Sequence, residues 1–152
     1  MSRRYLEKVR NITPASSHNG YMLDYKMLMN LKGPNFIEPA FANVRFEKGA
    51  KVEGVIHEIT ETDLDRIVAS EGETYELIEA PASFKNKSGI AKTLRCNESA
   101  TEEISTSRRY MKILIAAAIE NKLSSDYVEF LKSKKSVYYP VLYEIFAIRL
   151  YF

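Results

Sequence analysis

Beyond Gly20, apolar side chains recur at every second position. Tyr21, Leu23, Tyr25, Met27 and Met29 alternate with Met22, Asp24, Lys26 and Leu28. A period of two predicts a strand buried on at least one face, and Gly33-Pro34-Asn35 ends it. Two more strand-like runs, 40–46 and 52–59, flank Glu47-Lys48-Gly49-Ala50, a short turn that predicts an antiparallel hairpin. The period then changes. Thr60 and Thr62 are both candidates to cap a short helix through Leu64, Ile67 and Val68 that stops at Ser70-Glu71-Gly72, and Thr60 with Asp63 has the spacing of a loose capping box. A strand over 74–80 is closed by Pro81, a polar stretch occupies 84–89, and a weaker strand covers 90–96.

After a polar loop at 97–106, Thr106 or Ser107 is placed to cap a helix through Tyr110, Ile113, Leu114, Ala117 and Ala118 to about Asn121. Met111, Ile115 and Ile119 occupy its other faces, so this helix is expected to be largely buried. Ser124 or Ser125 caps a shorter one with Tyr127, Val128, Phe130 and Leu131. At the start, residues 1–10 are basic and read as an amphipathic helix. At the end, residues 137–152 are apolar but carry Glu144 and Arg149, which predicts packing on the body or on a partner. Intermixed strands and helices give the class α+β, a small, mainly antiparallel β-barrel or curved sheet with flanking helices.

Composition narrows the picture. The chain has 152 residues, which at about 100–200 residues per domain predicts one domain over 1–152. Hydrophobic residues make up 45% and charged residues 28%, the balance of a globular protein, so disorder is excluded. A net charge of +2 argues against a nucleic-acid partner read by an electrostatic footprint. Cys96 is the single cysteine and has no internal disulfide partner. No secretory signal and no apolar run of about 20 residues occur, so neither a membrane nor an oxidising compartment is expected; the reading is cytoplasmic.

Charge is uneven along the chain. From Glu53 to Glu79 nine carboxylates face the single base Arg66, and most should lie on solvent faces. Glu71 departs from that pattern. It stands before Gly72, where a helix hands over to a strand and a positive φ is easily taken, so the junction can aim its carboxylate across the sheet. His18 and His57 are far apart, no Cys/His cluster has metal-ligand spacing, and neither a phosphate loop nor a nucleophile elbow is present.

These pieces in this order resemble the gamma-glutamylcyclotransferase family over about residues 20–131. The matching segments are Val52-Glu53-Gly54-Val55-Ile56-His57-Glu58-Ile59, the helix ending Ala69-Ser70-Glu71-Gly72, and the strand bearing Tyr75. Downstream, Ser107-Arg108-Arg109-Tyr110, Ala118-Ile119-Glu120-Asn121-Lys122-Leu123 and Tyr127 agree. The resemblance implies a pocketed barrel with no metal and no cofactor, acting as a lyase or acyltransferase. Its small-molecule γ-glutamyl substrate would cyclise to 5-oxoproline, with Glu71 as acid and base. It further implies that Tyr110 positions the substrate, with Tyr75 and Gly72 beside it, and leaves a homodimer open.

The family begins with a strand leading into Tyr-Gly-Ser-Asn, whose backbone amides cradle the substrate. Met1-Ser2-Arg3-Arg4 matches the position just after that loop. The resemblance therefore implies either that the segment lies upstream of Met1, or that the chain is a non-catalytic binding or interaction domain on the same fold. Without that segment, two neighbouring strands are expected to show open edges.

Overall fold

A computed structural model describes residues 2–34, 37–97 and 99–138. In chain order the elements are α1 (Arg3–Val9), β1 (Ser16–Lys32), β2 (Ala40–Glu58), α2 (Glu61–Glu71), β3 (Tyr75–Phe84), β4 (Lys87–Cys96), β5 (Thr106–Ser107), α3 (Arg108–Glu120), α4 (Ser125–Lys132) and β6 (Ser136–Val137). Four strands form an antiparallel sheet in the order β2-β1-β3-β4, and β5 and β6 make a short parallel pair. The class is α+β. Among the described residues the sheet does not close into the expected barrel; it is a curved sheet with β2 and β4 at its edges.

Those two edges nevertheless meet at one end, through a side chain. Asn43 Nδ2 donates to the Cys96 carbonyl at 2.8 Å, and the Cys96 N–H donates to Asn43 Oδ1 at 3.0 Å. On the same part of β2 the Ala40 carbonyl accepts from Thr106 Oγ1 at 2.5 Å, and the Ala42 N–H donates to the Tyr110 hydroxyl at 3.2 Å. At these positions side chains take the place of a neighbouring strand, so the backbone groups are satisfied.

Runs 40–46 and 52–59 are one strand rather than a hairpin. The whole of β2 lies along β1, whose register jumps from Leu23 opposite Lys51 to Tyr25 opposite Phe46. Residues 47–50 form the excursion across from Asp24. Gly49 takes φ 84°, Asp24 takes φ 59°, and the Asp24 carboxylate accepts the Gly49 N–H at 2.8 Å. That bond ties the excursion to β1, and the chain continues in its original direction as through a bulge.

Pro81 does not end β3 either. The β3–β4 ladder passes through Pro81 opposite Ile90, while pairing with β1 begins only at Ala82. Among the described residues, the proline thus sits where that side of β3 has no strand to receive an N–H. β4 starts at Lys87, because Lys85 and Asn86, at φ 50° and 58°, make the tight reversal of a two-residue hairpin.

Local capping chemistry sets the helices. Thr60, Ser107 and Ser124 accept the N–H groups of Asp63, Tyr110 and Tyr127, each cap contributing about 1 kcal/mol. Met27, Met29 and Ala40 of the sheet pack against Met111 and Ala118 of α3 and Val128 and Leu131 of α4. α3 buries one stripe rather than its full circumference; Ile113 and Ile119 are 49% and 58% exposed. Leu6, Ile12 and Ile67 form a second cluster that fixes α1 against α2. The apolar stretch predicted to pack at 137–152 lies, from residue 139 on, outside the described residues.

Candidate functional site

Glu71 closes α2, and Gly72 follows as its C-cap at φ 80°, a left-handed conformation that suits glycine. The Glu71 side chain is 24% exposed, so it is neither a core group nor one more solvated acid. Its Oε1 accepts from Arg10 Nη2, and Arg10 Nη1 donates to Ser70 Oγ. Oε2 has no hydrogen-bond partner among the described residues. Arg10 caps the C-terminus of α1, and its guanidinium lies 5.8 Å from the centre of the Tyr5 ring. Burial works to lower the Arg10 pKa, but the Tyr5 side chain and the Glu71 charge outweigh it and hold it above its ordinary value. The packing of Leu6 against Ile67 brings the two charges together.

Tyr75 begins β3, opposite Cys96 on β4. Burial pushes its hydroxyl above the usual tyrosine range, and the charge of Glu71 adds to this, with smaller effects from Cys96 and Tyr110. Glu71 and Gly72 thus stand next to Tyr75, which is also within electrostatic reach of Tyr110. Tyr110 lies in the first turn of α3, with its ring edge-on to Phe41 at 5.4 Å. Burial raises its hydroxyl as well; the bond from Ala42 works the other way, and the Glu38 charge reinforces the rise. Because the oxygen accepts from Ala42, the hydroxyl proton is left to donate.

Three residues that the sequence reading did not single out belong to this region. Arg10 is one. Glu38, only 3% exposed, pairs through Oε2 with Arg109 Nη2 at 2.6 Å, while its buried Oε1 has no hydrogen-bond partner among the described residues. Asn43 joins the sheet edges beside Cys96, itself buried. Polar residues inside apolar runs were the available signal: Glu38 follows Ile37, and Asn43 follows Ala40-Phe41-Ala42. Among the acids expected on solvent faces, Glu53 is instead buried, accepting from the N–H and hydroxyl of Ser124 at 2.9 and 2.6 Å.

A separate polar cleft of about 210 Å³ lies at the other end of the β3–β4 hairpin, lined by Tyr21, Glu53, Phe84, Lys85, Lys122 and Ser124 among others. None of the predicted site residues reaches it. Among the described residues no cluster of His, Cys, Asp and Glu has the arrangement of a metal site. No helix among them is long and apolar enough to cross a membrane.

No curated protein matches the chain. Among solved structures, a gamma-glutamyl cyclotransferase superposes with a TM-score of 0.73 at 18% identity, covering 90% of this chain and 83% of that one. An uncharacterized protein from Homo sapiens gives 0.71 at 20% identity, with 89% and 81% covered. YkqA from Bacillus subtilis gives 0.66 at 20% identity, covering 79% of this chain and 45% of that one. At such identities the likeness establishes the fold. The family model described as AIG2-like matches residues 51–131, from the second half of β2 through α2 and the β3–β4 hairpin to α4. With more than half of its length matched, the chain belongs to the AIG2-like family and carries the gamma-glutamylcyclotransferase-like fold.

Proposed function

We propose that the protein cyclises γ-glutamyl amino acids or amines to 5-oxoproline and releases the amine. The observation that carries this reading is Glu71. It is a largely sheltered carboxylate at the helix–strand junction, with one oxygen held by Arg10, the other without a hydrogen-bond partner among the described residues, and Tyr75 close enough to feel its charge. Glu71 Oε2 removes a proton from the substrate's α-ammonium. The freed amine attacks the γ-carbonyl carbon, closing a five-membered ring, and the γ C–N bond breaks as the proton passes to the departing nitrogen. Both reacting groups belong to one molecule, so holding the chain folded draws on the proximity effect, for which effective molarities of about 10⁵–10⁸ M are known. Tyr110 donates its remaining proton to the substrate, and Tyr75 and Gly72 line its path.

The test is 5-oxoproline release from γ-glutamyl-alanine. Glu71→Gln keeps the shape but cannot accept a proton, and should lower turnover by about 10²–10⁴-fold with folding unchanged. Turnover within a few-fold of wild type would remove Glu71 from this role. A second reading, a binding domain without catalysis, is favoured by the Arg10 contact, which already engages one oxygen of the carboxylate. It predicts that γ-glutamyl-alanine binds and is returned unchanged.

A further inference from the structure

We infer that Arg10 recognises the α-carboxylate of the substrate and serves as its counter-ion while Glu71 carries the proton; this rests on the reading just given. The Arg10 guanidinium has five N–H donors. It lies 5.8 Å from the centre of the Tyr5 ring, and its hydrogen-bond partners among the described residues are Ser70 Oγ and Glu71 Oε1. Nη1 and Nη2 each bring two hydrogens, so donors remain beside the Glu71 contact. Oε2 of Glu71 remains beside it as well. The pair thus presents an unfilled positive valence and an unfilled negative valence side by side. The amino-acid end of a γ-glutamyl group presents the complement, an α-carboxylate next to an α-ammonium. Docking the two zwitterions makes an alternating set of four charges and adds no net charge to a site where both side chains are mostly covered, at 20% and 24% exposed.

The proton transfer gives the carboxylate a second task. When Glu71 takes the α-ammonium proton it becomes neutral, and Arg10 loses the partner it had. A guanidinium stays charged throughout, so a sheltered cation would be left unpaired at that step. The α-carboxylate, held on the remaining Arg10 donors, replaces the lost counter-charge. Its absence should therefore lower kcat as well as raise KM. A salt link that only joined α1 to α2 would show no such dependence on the substrate.

The experiment compares γ-glutamyl-alanine with 4-aminobutanoyl-alanine, which is identical except that it lacks the α-carboxylate. Each is assayed by release of alanine and by calorimetric binding. The wild type should prefer the first in kcat/KM by about 10²-fold or more, with part of the difference in kcat. Arg10→Met should reduce that preference to within about threefold, and Arg10→Lys, which keeps the charge without the fork, should retain an intermediate preference. A wild-type protein that does not discriminate overturns the inference whatever the variants do, so a poorly folded Arg10→Met cannot shield it. An Arg10→Met protein that keeps the full preference also overturns it. If neither compound turns over, the cyclisation reading fails, and the binding data then judge Arg10 by the same preference in Kd. If neither compound binds, both readings fall.

Discussion

The carboxamide of Asn43 and the backbone of Cys96 bond reciprocally, at 2.8 and 3.0 Å, across the gap between the two edge strands. An amide side chain has the same donor and acceptor as a peptide group, so one residue performs the pairing of a strand segment. Both residues are buried, at 6% and 2% exposure. Asn43→Ala strands a buried N–H and a buried carbonyl, and should cost about 2–4 kcal/mol. Urea unfolding measures this; a loss under about 0.5 kcal/mol would mean the bridge is incidental.

Gly20 lies where β1 meets β3. A Cβ there would approach the Ser83 carbonyl oxygen to 2.6 Å and Ile56 Cδ1 to 2.7 Å. The side chain can move aside, but the carbonyl belongs to the ladder and cannot do so without parting the strands. Gly20→Ala should destabilise the fold by about 1–3 kcal/mol. Thermal unfolding at unchanged midpoint would show that the strands separate freely.

Glu103 accepts the Met29 N–H at 3.1 Å and the Lys134 ammonium at 2.5 Å. Burial pushes its carboxyl up, but these bonds outweigh it and hold the group below the usual carboxylate range. A folded value below the unfolded one contributes stability that is present above about pH 4.3 and lost as pH falls through the folded value. Glu103→Gln should therefore be less stable than wild type near neutrality, and the difference should close in acid. Melting temperatures across that range decide it.

At the alkaline end the relevant group is Tyr127. Burial, helped by the charge of Glu53, pushes its hydroxyl up to about 12. A raised folded value means stability is intact below the unfolded value of about 10 and lost as pH rises beyond it. Tyr127→Phe should flatten that decline. Equal slopes for the two proteins would place the alkaline transition elsewhere.

Helix starts were legible to within one or two residues, at Thr60 or Thr62, Thr106 or Ser107, and Ser124 or Ser125, because capping is decided within three residues; the caps are Thr60, Ser107 and Ser124. The hairpin expected at Glu47-Lys48-Gly49-Ala50 shows where local reading stops. Those residues do make a turn-like excursion, but whether the chain reverses there depends on Asp24, 25 residues away in sequence. The site divides in the same way. Glu71 and Gly72 are visible as a junction, and Tyr110 and Tyr75 come through the resemblance. Arg10, Asn43 and Glu38 acquire their roles from partners separated by 61, 53 and 71 residues, which no local pattern encodes.

The register of β1 with β3 is short: Gly20, Tyr21 and Met22 against Phe84, Ser83 and Ala82. Each of the two long hairpins it joins, β1–β2 and β3–β4, closes a small loop and can zip early in folding. The join between them must then be a late event, since it gains only a few pairs for a larger closure. α2 is the connector spanning that join, and it bears Glu71 at its end. Maturation of the site thus waits on the docking of two preformed halves. Amide protons that bond between β1 and β3 should exchange sooner than those that bond within either hairpin, and opening there would loosen the connection that carries Glu71.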